Sequence, residues 1–196
     1  GQELKITRTY RNAQEIIEIA GTFVKKNNTQ IKKQLTSLQR IDNPVIINTY
    51  SEDVGKDKDK PAGGVYYNLG IAIHNAINDI VEYTQQSESS KTPSILLIGR
   101  YGFDAQNMCK SNEFNYDEKS GRVYSAKLGS KVKLQFLTAH SSKGLSADNV
   151  IIINAKDETY GFPSKVDDDP ILNLVVSNDT SYNYAEERRL FYVALT

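Results

Sequence analysis

The sequence predicts an α/β fold: three layers, with a mostly parallel sheet between helices. Three observations carry that expectation. Ser94–Gly99 (Ser-Ile-Leu-Leu-Ile-Gly) is a continuous apolar run, as expected of a strand buried on both faces. Leu69, Ile73, Ala76, Ile77, Ile80 and Val81 recur at helical spacing, which makes residues 68–86 an amphipathic helix packed on a sheet. Val132–Leu137 and Val150–Ile153 are two further buried strands, so strands alternate with helices along the chain.

In chain order, Leu4–Thr7 is expected to be a short strand, and Thr9-Tyr10-Arg11-Asn12 the corner into a helix. Asn12 with Glu15 three residues on is a helix-start signal. Ile16, Ala20, Phe23 and Val24 form the helix's apolar stripe, and Asn27-Asn28 ends it. Residues 30–42 are polar with scattered Leu and Ile and show no clear period. Pro44–Tyr50 is β-branched and predicts a strand. Residues 51–64 contain Lys-Asp-Lys-Asp-Lys and Pro-Ala-Gly-Gly, the composition of a solvated loop. His74 reads as a partly exposed helix residue rather than a ligand.

After the apolar run, Arg100-Tyr101-Gly102 places a cation and a ring where a parallel strand meets its loop. Open α/β sheets bind ligands at those carboxyl ends. Residues 104–112 predict a short helix, with Cys109 semi-buried and inert, and Arg122–Ser125 a small strand. Asp157–Lys165 is a loop with a Gly-Phe-Pro corner, Val166–Pro170 an acidic turn, and Ile171–Val176 a short apolar piece. From about Asn183 the chain reads as helical. Glu186 and Glu187 lie near the positive end of its dipole, and Leu190, Phe191 and Ala194 form its buried stripe.

Composition bounds the function. The chain has 196 residues, enough for one α/β domain, and 39% hydrophobic content. No apolar run approaches the roughly 18 residues of a membrane span. The first residues show no signal-peptide pattern. Cys109 is the only cysteine, so no disulfide framework is expected, and a cytoplasmic setting is the default. Lys+Arg and Asp+Glu are both 24, which argues against a whole-surface polyanion binder but leaves room for a local basic groove. No Gly-x-x-x-x-Gly-Lys-Ser/Thr occurs, so the chain has no P-loop of its own.

The loop Thr138-Ala-His-Ser-Ser-Lys-Gly144 between two strands is built for phosphate or a sugar-phosphate backbone. Its hydroxyls donate, Lys143 brings a point charge, and Gly144 lets the backbone come close.

Three segments in order resemble motifs IV, V and VI of superfamily 1 helicases of the UvrD/Rep kind: Thr9-Tyr10-Arg11 (near 9–12), Thr138–Ser146, and Glu186-Glu187-Arg188-Arg189-Leu190-Phe191-Tyr192-Val193-Ala194-Leu195-Thr196. Gln30-Ile-Lys-Lys-Gln-Leu, Ile95–Tyr101 and Tyr160-Gly-Phe-Pro163 resemble the helicase IV branch. The resemblance spans nearly the whole chain, 1–196, and implies the second RecA-like motor domain of an ATP-dependent DNA helicase. That domain lacks a P-loop. Its partner, an N-terminal RecA-like domain, would carry the P-loop and the Mg²⁺ ligands.

On this resemblance Tyr10 would stack on adenine, and Arg11 and Arg189 would be the γ-phosphate arginines. Glu186, one turn before Arg189, would orient it. A guanidinium fork follows the spreading charge of phosphoryl transfer better than an ammonium does. Thr138, His140 and Lys143 would hold the single strand's backbone, with Arg100 and Tyr101 extending the track, and Gly144 and the residues after it would face ATP.

The chain departs from the family in three places. Ser146 stands where UvrD and Rep have a ribose-contacting Glu. About 30 residues separate Arg100 from motif V, so the large 2B insertion is nearly absent. The arginine that usually follows the motif VI threonine would lie beyond Thr196. Because the P-loop and the Mg²⁺ ligands would lie on the partner domain, the chain alone is expected to be inactive. Two alternatives stay open: an ATP-driven factor of the helicase-IV-like family acting on RNA polymerase without unwinding duplex, and a non-enzymatic nucleic-acid-binding module.

Overall fold

The computed structural model describes residues 7–27, 35–52, 64–87, 91–166 and 184–196. The expected strand at Leu4–Thr7 (apart from Thr7), the segments 30–34 and 53–63, most of the turn 166–170 and the piece 171–176 lie outside them. The chain forms two compact units, Ile47–Ala155 and Gly1–Ile46 with Lys156–Thr196.

The first unit is built on a sheet. A long helix, α2 (Val65–Gln86; α1, Gln14–Val24, belongs to the other unit), precedes strand β1 (Ser94–Gly99). A short helix α3 (Phe103–Cys109) follows, then a hairpin of β2 (Asn115–Asp117) and β3 (Arg122–Tyr124). A 3-10 turn (Gly129–Lys131) leads into β4 (Lys133–Thr138), and β5 (Asn149–Ile152) completes the sheet. The strand order is β2-β3-β4-β1-β5. β4, β1 and β5 are parallel, and the hairpin adds to β4 antiparallel, so three parallel strands form one side of a mixed α/β sheet and the hairpin the other.

β1 lies between β4 and β5 and is buried from Ile95 onward, which is why its apolar run is unbroken. Leu96, Leu97 and Ile98 are all buried. Ile95 and Leu97 join Leu134 and Phe136 of β4 in a core closed by Leu69, Ile73, Ile77 and Val81 of α2, with Ala105 and Met108 of α3. The stripe read from sequence is therefore the core stripe. His74 on α2 is largely covered, 3.5 Å from Glu113, which also pairs with Lys127. Cys109 is half-buried, and burial pushes its thiol pKa up, as an inert thiol requires.

The second unit pairs α1 (Gln14–Val24) with α4 (Ala185–Leu195). Phe191 of α4 sits between Phe23 of α1 (5.1 Å between ring centroids) and Phe162 (4.9 Å). Gly161 lets that corner form: a Cβ there would lie 2.0 Å from the Lys156 carbonyl oxygen.

Two local expectations are corrected. Pro44–Tyr50 is not a strand; Val45, Ile46 and Ile47 are exposed in irregular chain, so β-branched composition had no sheet edge to join. Asn12 does not cap α1. Ala13 holds the cap position without a side-chain bond, and Asn12 Nδ2 donates instead to the Thr196 carbonyl at 2.8 Å.

Candidate functional site

The strand-edge cluster follows from register. β1 and β4 run parallel with Gly99 opposite Thr138, and the Ala139 N–H donates to the Gly99 carbonyl at 2.8 Å. Arg100-Tyr101 and Ala139-His140 therefore leave the sheet side by side at its carboxyl edge. The Arg100 guanidinium lies 4.7 Å from the Tyr101 ring centre, and Tyr101 stacks on Phe103 at 4.9 Å with an interplanar angle of 11°. This gives a cation and stacked rings at one edge, a combination suited to single-stranded nucleic acid.

The loop after β4 is folded by its own hydroxyls. The Thr138 and Ser141 hydroxyls lie 3.0 Å apart in a hydrogen bond, and the Ser142 N–H donates to the Thr138 carbonyl. Ser142 is buried, its Oγ donating to the Ala139 carbonyl at 2.9 Å. With Ser142 turned inward, His140, Lys143, Gly144 and Ser146 are left exposed. Gly144 has φ +86 with nothing within 4 Å of a built Cβ, so conformation rather than crowding calls for glycine there.

Sequence reasoning missed the residue that supports this edge. Asp104, 2% exposed, accepts the Tyr101 N–H at 2.9 Å and faces Asn154 Nδ2 at 3.5 Å. Burial pushes its pKa up, against the N–H groups of Tyr101 and Arg100, Asn154 and the Arg100 charge. Gly99 makes room for it: a Cβ there would come within 2.7 Å of Asp104 Oδ2. An acid at the second position of a short helix resembles a dipole partner, so the sequence held no signal of its burial.

The second cluster lies in the other unit. Tyr10 is 71% exposed, with the Arg8 guanidinium 5.1 Å from its ring centre. The Tyr10 carbonyl accepts from Gln39 Nε2, and the Arg11 N–H donates to Thr9 Oγ1 at 3.3 Å. The Asn12–Thr196 bond ties this corner to the end of α4. On α4, Arg189 pairs with Glu186 in an exposed ion pair. The neighbouring acid has a separate structural job: Glu187 Oε2 accepts the Ser164 N–H at 3.0 Å.

Tyr10, Arg11, Glu186 and Arg189 thus belong to one unit. Arg100, Tyr101, Thr138, His140, Lys143, Gly144 and Ser146 belong to the other. Among the described residues, no group of three or more His, Cys, Asp or Glu side chains could hold a metal. No helix there is long and apolar enough to cross a membrane.

A family model described as the UvrD-like helicase C-terminal domain matches residues 71–196. The chain belongs to that family. Its members are RecA-like α/β domains, in accord with the three parallel strands of this sheet. The match covers the strand-edge cluster and α4. The chain is also 26% identical over its whole length to DNA helicase IV of Escherichia coli (strain K12), and spans 23% of that protein. No solved structure matches the chain. As a UvrD-like C-terminal domain it is a helicase domain of helicase IV-like sequence.

Proposed function

We propose that this chain is the second motor domain of an ATP-dependent superfamily 1 DNA helicase or translocase in the cytoplasm, working against an N-terminal RecA-like domain of the same protein. The observation that carries the reading is the Gly99–Thr138 register, which sets Arg100 and Tyr101 beside Thr138, His140 and Lys143. That edge grips single-stranded DNA: hydroxyls and cations hold the backbone while Tyr101 stacks on bases.

The other cluster serves ATP. Its donor set suits a nucleoside triphosphate, with an exposed ring at Tyr10 and guanidiniums at Arg11 and Arg189. Glu186 holds the Arg189 fork until a phosphate replaces it. ATP supplies the scissile phosphoanhydride, and the resemblance assigns the Mg²⁺ ligands to the N-terminal domain. Gly144 and Ser146 are carried by the resemblance to the nucleotide side, so a loop touching both ligands couples nucleotide state to grip. Between Arg100 and Lys133 stand only α3, the hairpin and a 3-10 turn, which supports the absence of a 2B insertion.

In the full-length protein, Arg189→Ala is expected to lower DNA-stimulated ATP turnover on the order of 10³-fold or more. Thermal stability should hold, because an exposed ion pair contributes at most about 1 kcal/mol. Turnover within a few-fold of wild type would remove Arg189 from the reaction. The isolated chain should not hydrolyse ATP.

A further inference from the structure

We infer that the β2–β3 turn, Glu118–Gly121, forms an additional subsite for the single strand, beside the loop after β4. The inference rests on the proposed grip of nucleic acid at this sheet edge. It concerns residues outside every motif read from the sequence.

Register puts the turn there. β3 runs antiparallel to β4 with Arg122 opposite Gln135 and Val123 opposite Leu134. The Gly121 carbonyl accepts the Phe136 N–H at 2.8 Å, so continuing back through Ser120 and Lys119 leads towards the carboxyl end of β4. β4 is thus flanked at that end by Arg100-Tyr101 on the β1 side and by Lys119-Ser120 on the β3 side.

The space between is a groove of about 250 Å³, whose lining includes Gly102, Glu118, Lys119, Ser120, Thr138 and Ser141. Its hydroxyls and ammonium are those of a phosphodiester track. Glu118 opposes a phosphate in the groove itself. This favours a sugar or base lying there, with Lys119 reaching the flanking phosphate.

The turn is held rigid. The Asp117 carboxylate accepts the Ser120 hydroxyl at 2.5 Å and the Lys119 N–H at 3.1 Å, and its carbonyl accepts the Gly121 N–H at 2.8 Å. Those bonds, the Ser120 hydroxyl first, hold the Asp117 pKa below the usual carboxylate range. Gly121, at φ +69, sits where a Cβ would lie 3.1 Å from the Phe136 carbonyl oxygen. A fixed backbone limits the ordering needed on binding to the Lys119 side chain itself.

The test uses the full-length protein and a fluorescent single-stranded oligonucleotide, with affinity measured across salt concentrations. Lys119→Ala should weaken binding and make the slope of log K against log salt shallower by about 0.7, one phosphate's share. Lys119→Glu should weaken it further. A photocrosslinking residue in place of Glu118 should capture the strand.

If Lys143→Ala weakens binding while Lys119→Ala changes neither affinity nor slope and no crosslink forms, the subsite is refuted and the proposed function stands. If the wild-type protein itself fails to bind the strand, the proposed function falls, and the subsite falls with it. Lys119 is exposed, so circular dichroism of its variants should match wild type.

Discussion

The two ends of β1 are each tied down by one carboxylate, and the two carboxylates are opposites. At the amino end, exposed Asp148 accepts Lys91 Nζ at 2.8 Å, the Ser94 N–H at 3.0 Å and Ser94 Oγ at 2.7 Å. Those bonds, with Lys91 first, hold its pKa down to about 2. At the carboxyl end, buried Asp104 holds the Arg100–Tyr101 turn, and burial pushes its pKa up. A clamp that only joins strands can stay in water, where its charge costs little. The clamp beneath the candidate site is buried where the charged form is disfavoured. A buried carboxylate is a costly way to end a strand, and its return is a fixed turn carrying Arg100, Tyr101 and Phe103.

The largest effect should come from the buried end. Asp104→Ala removes the acceptor of the part-buried Tyr101 N–H and should cost about 1–3 kcal/mol in thermal or urea unfolding. It should also weaken single-strand binding in the full-length protein, because the turn loses its anchor. Asp104→Asn keeps an acceptor and cannot ionise, so it should be more stable than wild type at neutral pH. A silent Asp104→Ala in both measurements would erase the contrast between the two ends.

A smaller effect is expected at the exposed end. Asp148→Ala removes a solvent-screened clamp and should cost less than about 1 kcal/mol. Single-strand affinity should not change, since the amino ends of the strands face away from the proposed track. Loss of affinity there would mean that the strand ends do not divide the labour as argued.

The two ends also differ in what the sequence disclosed. Strand β1 and helix α2 were legible because burial on both faces, or along one stripe, leaves an unmistakable apolar pattern; β4 and β5 form as strands, but β4 alternates buried with exposed residues and β5 is only part-buried, with Val150 exposed. Arg100, Tyr101 and the loop 138–144 were legible because polar and cationic residues interrupt that pattern at strand ends. Asp104 was not, because nothing local distinguishes an acid in a helix's first turn from one buried beneath a glycine. Lys119 was hidden for another reason: its nearness to Thr138 depends on antiparallel register across the hairpin. Pro44–Tyr50 misled because β-branching reports fitness for a sheet, and that segment has no partner strand among the described residues. Likewise Asn12 carries a capping signal, but its side chain is taken by Thr196, 184 residues away in sequence.

Acid separates the two ends by sign. Asp148 has a folded pKa of about 2 against an ordinary 3.8, so its stabilisation is present above 3.8 and is lost as pH falls through about 2. The advantage of wild type over Asp148→Asn should therefore be steady at neutral pH and shrink as pH drops below about 4. Asp104 is raised, so its contribution runs the other way: favourable below 3.8 and lost as pH rises through its folded value. Asp104→Asn should gain on wild type most at neutral pH, and that gain should vanish on acidification. Urea midpoints for the three proteins between about pH 7 and pH 3 would show one difference fading from wild type's favour and the other from the variant's. Two differences of the same sign would mean that Asp104 pays no desolvation cost, and the buried end of β1 would then be an ordinary clamp.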